Sequence, residues 1–429
     1  MSLVTGQQIA LTIEKPASGG RMIARHLGQV VLVLGAIPGE RVAASIERTE
    51  KHLAFATVRE VIEPSPDRRL GSPDPLCGGL LYSHIHYERQ RALKADVVRD
   101  AFARGAKHSI ETPIDVAASP EHGYRMRARL HVRGARVGFY RENTHDLCDA
   151  ARTMLLREET IAAAQQLAEA LHKVRRDVLA AVVVTENVAA SERAAHLELA
   201  PGATIEPAQI EAAMRVAGLR GVSAREPLAG RMVLAGSPSV SEPLATVTGG
   251  RVSSGVLSRR AESFFQANRF LLSALVNAVL DAVPDAGEVL DLYAGVGLFS
   301  VPLAALGHLE VTAVEGDHAS GADLRENAHA LQPRLDARVG GVEAYLASRR
   351  QAPATVIVDP PRTGMSKGAR QHLVRLQVPR LVYVSCDPPT LARDARFLLD
   401  AGYGLTSVRA FDLFPNTPHV EAVAVFDRS

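Results

Sequence analysis

The chain has 429 residues, 47% hydrophobic and 22% charged, with a formal net charge of +2. That composition excludes a fibrous, disordered or membrane-embedded chain, and the length suggests two to three domains. The three cysteines, Cys77, Cys148 and Cys386, are too few for a four-thiolate site and do not read as a disulfide framework, so a reducing compartment is expected.

Residues 1–64 read as a small all-β unit. Period-2 segments recur at Gln8–Ile13, Gln29–Leu34, Glu40–Ile46 and Phe55–Val61, divided by the turn signals Ser18-Gly19-Gly20 and Ala36-Ile37-Pro38-Gly39. Short strands with this punctuation predict an OB-like barrel, and Glu63-Pro64-Ser65-Pro66 predicts a linker. Residues 65–255 predict a central α+β unit. A helical pattern spans Ser83–Arg104, alternation returns at Tyr124–Val132, and Glu158–Val174 is helical again, followed by a strand near Ala180–Val184. All but six of the 49 basic residues are Arg, a bias that a GC-rich genome would also produce. Five of them, Arg125, Arg127, Arg129, Arg133 and Arg136, fall between Tyr124 and Tyr140 with no acid among them. Such a strand face suits phosphate contacts, against the plainer reading of an exposed face that binds nothing.

Residues 256–429 change character. Short continuous apolar runs at Val289–Tyr293, Val311–Val314, Thr355–Val358 and Leu381–Val384 are separated by helical stretches such as Leu298–Leu306 and Ala322–Leu331. Doubly buried strands alternating with helices predict a parallel α/β sheet, with Glu421–Phe426 as an alternating strand at its edge. No apolar window of ~18 residues and no secretory leader occurs, so a cytoplasmic, non-membrane protein is expected.

In an open parallel sheet, ligands bind beyond the carboxyl ends of the strands. The first strand runs into Tyr293-Ala294-Gly295-Val296-Gly297-Leu298, a Gly turn before a helix. Ser300 stands where a dinucleotide fingerprint has its third Gly, so no pyrophosphate is called for. Glu315, 22 residues after Tyr293 at the end of the next strand, is placed to accept ribose hydroxyls. Together these fit S-adenosylmethionine better than a nicotinamide dinucleotide. Asp359-Pro360-Pro361-Arg362 and Ser385-Cys386-Asp387-Pro388 end two later strands and point into the same crevice. Cys386, at a strand end between polar neighbours, reads as a nucleophile rather than as packing. Glu421 abuts an apolar strand, where desolvation would favour base chemistry.

These residues carry a resemblance. Ser263-Phe264-Phe265-Gln266-Ala267-Asn268, the Asp291–Gly297 loop, Asp359-Pro360-Pro361-Arg362, Ser385-Cys386-Asp387-Pro388 with Thr390-Leu391-Ala392-Arg393-Asp394, and the Asp412–Glu421 stretch follow one another as in the uracil-C5 RNA methyltransferases. The N-terminal barrel is similar to that family's TRAM domain, and Arg127–Leu130 with Gly138-Phe139-Tyr140-Arg141 is similar to its central domain. The resemblance implies a Rossmann-like methyltransferase domain that uses S-adenosylmethionine to form 5-methyluridine in transfer or ribosomal RNA, as a monomer. Cys386 would attack uracil C6 and Glu421 would remove the C5 proton. Gln266, Tyr293, Gly295, Gly297, Leu298, Glu315 and Asp359 would hold the cofactor, and the five arginines would face RNA. Many members carry a four-cysteine iron–sulfur cluster. Here Cys77-Gly78-Gly79-Leu80 keeps one ligand, Leu80 replaces the next, and the other two positions fall near Gly71 and Thr153. No cluster and no metal are expected: Cys77 would be a remnant, and Cys148 a packed side chain. Leu298 and Gly341 stand where members often have polar residues. A catalytically silent RNA-binding or RNA-folding protein is the alternative, and a small-molecule methyltransferase a third reading.

Overall fold

The computed structural model describes residues 3–72, 74–142, 144–307 and 310–428. The N-terminal segment closes into a five-stranded barrel of Gln8–Pro16, Met22–His26, Gln29–Leu34, Arg41–Thr49 and Leu53–Glu63. Inward positions alternate along each strand, so Leu11, Val33, Val42 and Ala56 fill the interior. The strand Met22–His26 went unread because its first three residues are all buried and show no alternation.

The central unit is a seven-stranded sheet in the order Met232–Gly236, Gly221–Arg225, Arg193–Leu199, Leu179–Glu186, Arg127–Arg133, Arg136–Tyr140, Leu147–Asp149. Helices Glu158–Val174 and Pro207–Val216 cover one face, where Leu130, Val182, Leu197 and Val222 pack against Leu167 and Ile210. The opposite face carries Arg127, Arg129, His131 and Glu198.

The C-terminal sheet has eight strands, ordered Leu335–Val339, Val311–Glu315, Val289–Leu292, Thr355–Val358, Arg380–Ser385, Glu421–Arg428, Tyr403–Phe411, Val116–Ala117. The first five are mutually parallel. Alternate residues of each strand join two cores, Ile357 and Val382 on one side, Val356, Val358, Leu381 and Tyr383 on the other. Burial on both faces explains why these strands read as continuous apolar runs. The order reverses between Val289–Leu292 and Thr355–Val358, which opens a crevice at their carboxyl ends.

Three expectations are corrected. Glu421–Arg428 is not an edge strand: it pairs antiparallel with Arg380–Ser385 and with Tyr403–Phe411, and its first six residues are buried. The outer strand Tyr403–Phe411 is too polar to have been recognised, and Val116–Ala117 extends the sheet beyond it. Leu335–Val339 is a further parallel strand on the other edge, so the Asp359 strand is the fourth parallel one in the chain rather than the third. Cys77 and Cys148 are disulfide-bonded, with Cα atoms 5.8 Å apart, so Cys148 is more than packing. Thr153 is occupied elsewhere, with its hydroxyl donating to Ala150 O at 2.7 Å. The helix Tyr87–Ala101 packs on the C-terminal sheet, with Ala95 and Val98 in the core of its second side.

Candidate functional site

A cavity of about 780 Å³ lies at the reversal point, within the size range of small-ligand sites. Its first wall is the Gly turn. Tyr293, a non-glycine residue, adopts φ +61°, a strained left-handed conformation of the kind that concentrates at functional sites. Gly295 N–H donates to Glu315 Oε2 at 2.7 Å, and Asp317 N–H to Glu315 Oε1 at 2.5 Å. Both carboxylate oxygens are thereby fixed, and each has acceptor capacity beyond that bond. Gly297 does not line the cavity. A Cβ there, at φ +94°, would sit 2.7 Å from Val301 and 3.0 Å from Leu324, so this glycine serves the packing of the turn. Of the other residues expected on this side, Gln266, Leu298 and Gly341 are on the wall, with Tyr293, Gly295, Glu315 and Asp359.

This end is electrostatically negative. Asp291, fully buried, accepts from Ser300 N–H at 3.2 Å through Oδ2, while Oδ1 has no hydrogen-bond partner. Burial pushes its pKa up to about 7. Burial, followed by the charges of Asp291 and Glu315, pushes Asp359 up to about 7 as well, and the Gln266 side chain opposes the shift. Glu315 and Asp359 line this end, in no ion pair among the described residues, with Asp291 buried behind them, and make a cradle for a positively charged ligand.

The other end holds Cys386, Glu421, Arg362 and Phe414. Burial, and then the Glu421 carboxylate, push the Cys386 thiol up to about 11, while Arg362 pulls it down by charge and by a hydrogen bond. Glu421 is raised well above the carboxylate range by burial and then by Asp359, again opposed by Arg362. The thiol and carboxyl therefore resist being anionic together, and Arg362 is the cation that eases both. Arg362 has no role among the expectations drawn from the sequence; the signal for it is its place directly after the strand-ending Asp359-Pro360-Pro361. Phe414 and Phe264 are also on the wall, and Phe264 is 60% exposed at the rim.

The arginine run divides. Arg127 reaches the cavity wall, donates to Glu262 O at 3.2 Å and lies over the Phe264 ring at 6.0 Å. Arg125 precedes the strand and lies over Phe414 at 5.7 Å. Arg129 is held bidentately by Glu198 at 2.7 and 2.6 Å. Arg133 and Arg136 are exposed on the hairpin beyond, and Arg133 donates to His145 O at 3.0 Å. Among the described residues, no helix is long and apolar enough to cross a membrane.

Comparison with known proteins points to one family. A family model described as tRNA (Uracil-5-)-methyltransferase matches residues 344–429, and one described as TRAM domain matches residues 3–58. A curated protein of Halomonas elongata named 23S rRNA (uracil(1939)-C(5))-methyltransferase RlmD is 35% identical, over 97% of this chain and 89% of that protein. Its namesake from Alkalilimnicola ehrlichii is 34% identical, over 95% and 94%. The crystal structure of Pyrococcus abyssi tRNA (uracil-54, C5)-methyltransferase in complex with S-adenosyl-L-homocysteine superposes with a TM-score of 0.75 at 22% identity, over 97% of this chain and 99% of that one, a likeness of fold. With TRAM barrel, methyltransferase sheet and full-length relatives in agreement, the chain belongs to the RNA (uracil-C5)-methyltransferase family.

Proposed function

We propose that the protein methylates C5 of a uridine in 23S ribosomal RNA, the substrate named for its relatives, using S-adenosylmethionine. The observation that carries the reading is one cavity with a carboxyl-lined cradle at one end and the Cys386–Glu421–Arg362 group at the other. S-adenosylmethionine, when bound, supplies an electrophilic methyl group. Its sulfonium and ammonium charges suit the Asp359–Glu315 end, and Glu315 has lone pairs left for ribose hydroxyls. The uridine would be drawn out of its stack to reach Cys386.

C5 of uracil is a poor nucleophile. Cys386 adds to C6, moving the C5=C6 electron pair towards C5 and O4 and making C5 enolate-like. Arg362 stabilises the thiolate before attack. After C5 has taken the methyl group, Glu421 removes the C5 proton. The C–H electron pair then re-forms C5=C6 and expels the thiolate. The division of labour follows the three segments: 1–64 and 65–255 hold RNA, and 256–429 performs the transfer. The enzyme acts as a cytoplasmic monomer.

Incubation of purified protein with a 23S rRNA fragment and labelled donor tests this. Label in 5-methyluridine at a single position is expected; tight RNA binding with no 5-methyluridine would favour the silent RNA-binding alternative.

Two further outcomes follow. Because a cationic ligand prefers anionic Asp359, binding should require loss of a proton below pH 7. Affinity for S-adenosylhomocysteine, whose ammonium remains, should fall about tenfold from pH 8 to pH 6 if one group near 7 controls it. Calorimetric titration would show this, and Asp359→Asn should remove the dependence. RNA affinity should depend steeply on salt. Replacing Arg133 and Arg136 by Ala should flatten the log–log slope by about 1.4, two phosphates at ~0.7 each. Arg129→Ala should change it less, since Glu198 already neutralises that side chain.

A further inference from the structure

The strand Leu147–Asp149 is the outer edge of the central sheet, and Cys148 on it is bonded to Cys77, 71 residues earlier. A four-iron cluster needs four thiolates. Only two thiols reach this place, and Asp74 is the one further group with a ligand atom near them among the described residues. The residues therefore do not fit the cluster that the family resemblance implies, and no chemistry is derived through one.

The disulfide lies at one end of a continuous mechanical path. Cys77 N–H donates to Asp74 O at 3.1 Å, and Asp74 pairs with Arg141 of the central unit at 3.0 Å. Five residues on, Tyr82 N–H donates to Asn416 O at 2.8 Å. The Arg69 and Gln90 side chains converge on Asn416 Oδ1 at 2.9 and 3.0 Å. Asn416, at φ +65°, is the bend of the loop that puts Phe414 on the cavity wall and leads into Glu421. The covalent bond thus ties the edge of the central sheet to the segment that holds this loop.

We infer that Cys77–Cys148 is a reversible thiol–disulfide clip, and that its oxidation state sets how firmly the Phe414–Glu421 loop is held. The clip stands on the loop's position, whichever role Glu421 has. The oxidant is a low-molecular-weight disulfide. One protein thiolate attacks it, releasing one small thiol and leaving a mixed disulfide; the second protein thiolate displaces the other small thiol. Two protein thiols are oxidised, and one small disulfide is reduced to two thiols. Both cysteines are buried, so exchange waits on opening of the turn whose Pro75 and Leu76 are exposed.

The test uses full-length protein carrying Cys386→Ala, so that only this pair can react. Two thiols are expected after dithiothreitol and none after glutathione disulfide, with the Cys77–Cys148 peptide found by mass spectrometry. Hydrogen exchange at the Tyr82 and Asn416 amides should be about tenfold faster in the reduced form, as local opening becomes easier. The RNA dissociation constant should rise with it, by about threefold. Adding Cys148→Ala should fix the protein in the reduced behaviour. Equal exchange in both redox states, a redox response that survives Cys148→Ala, or stoichiometric iron or zinc in the reduced protein would each overturn the inference.

Discussion

Glu421→Gln should leave the enzyme covalently attached to its RNA. In that variant Cys386 can still add to C6 and C5 can still accept a methyl group, but no carboxylate remains to take the C5 proton. The thiolate is expelled only when the electron pair of that C–H bond becomes available, so the methylated adduct persists. On a denaturing gel a protein–RNA band should accumulate stoichiometrically with enzyme, while turnover falls by about 10²–10⁴, the usual worth of a positioned base. Cys386→Ala should behave differently, with no adduct and turnover lost by at least about 10⁴-fold, as for other nucleophile deletions. The double variant should match Cys386→Ala alone, because the two residues act in sequence on one intermediate. Multiple turnovers by Cys386→Ala, or adduct formation in it, would refute the assignment of the nucleophile. Glu421→Gln turning over freely would transfer the base role to another group. Asp359, the carboxyl that raises Glu421 from the same cavity wall, is the neighbour to which the role would pass, and adding Asp359→Asn to Glu421→Gln would show it.

What the sequence disclosed and what it hid follow from how local each feature is. Cys386, Asp359 and Glu315 were legible because each sits at the carboxyl end of a short apolar run, and the topology of open sheets sends all such ends to one crevice. Glu421 was legible as a desolvated carboxyl, but its strand was misplaced to the edge. The neighbour that covers it, Tyr403–Phe411, alternates exposed and half-buried residues and resembles a loop. The arginine run was read as one strand face, but Arg125 precedes the strand and Arg136 lies on the next one, and the charges could not be apportioned. Glu198, which neutralises Arg129, lies two strands away in space and 69 residues away in the chain. The Cys77–Cys148 pair was missed for the same reason. Counting positions along the chain placed the fourth ligand at Thr153, whereas the strand pairing of Phe139 with Cys148 determines which residue faces Cys77. Lys94 gave no signal at all. It is one polar position in an amphipathic helix, and its partner is 318 residues distant.

Lys94→Met should destabilise the protein severely. Lys94 and Asp412 are both fully buried, and Lys94 Nζ donates to Asp412 Oδ1 and, at 3.0 Å, to Phe414 O. Asp412 Oδ1 also accepts from Phe414 N–H at 3.2 Å. The helix Tyr87–Ala101 therefore fixes both backbone groups of Phe414 through one ion pair, and its Gln90 side chain fixes Asn416 two residues on. Removing the cation strands a fully buried carboxylate, a loss of about 3–5 kcal/mol. Replacing both partners, Lys94→Met with Asp412→Leu, removes the stranded charge and should recover most of that stability. Recovery stops short of complete because Phe414 N–H loses its acceptor, at about 1–3 kcal/mol for a buried group left unsatisfied, whereas Phe414 O keeps the Thr417 N–H at 3.2 Å and the Thr417 hydroxyl at 2.7 Å. Denaturant unfolding followed by hydrogen exchange in the C-terminal sheet would measure both variants. A double variant no more stable than Lys94→Met would assign the loss to packing instead of charge. Activity should separate from stability in the double variant. The sheet and cradle are intact, so affinity for the methyl donor stays near that of the unmodified protein. Phe414 and the approach to Glu421 are held less firmly, so methyl transfer should be slower by about tenfold or more, as small displacements of a reacting group cost. That split would show a residue remote in sequence and absent from the cavity wall setting the geometry of the base.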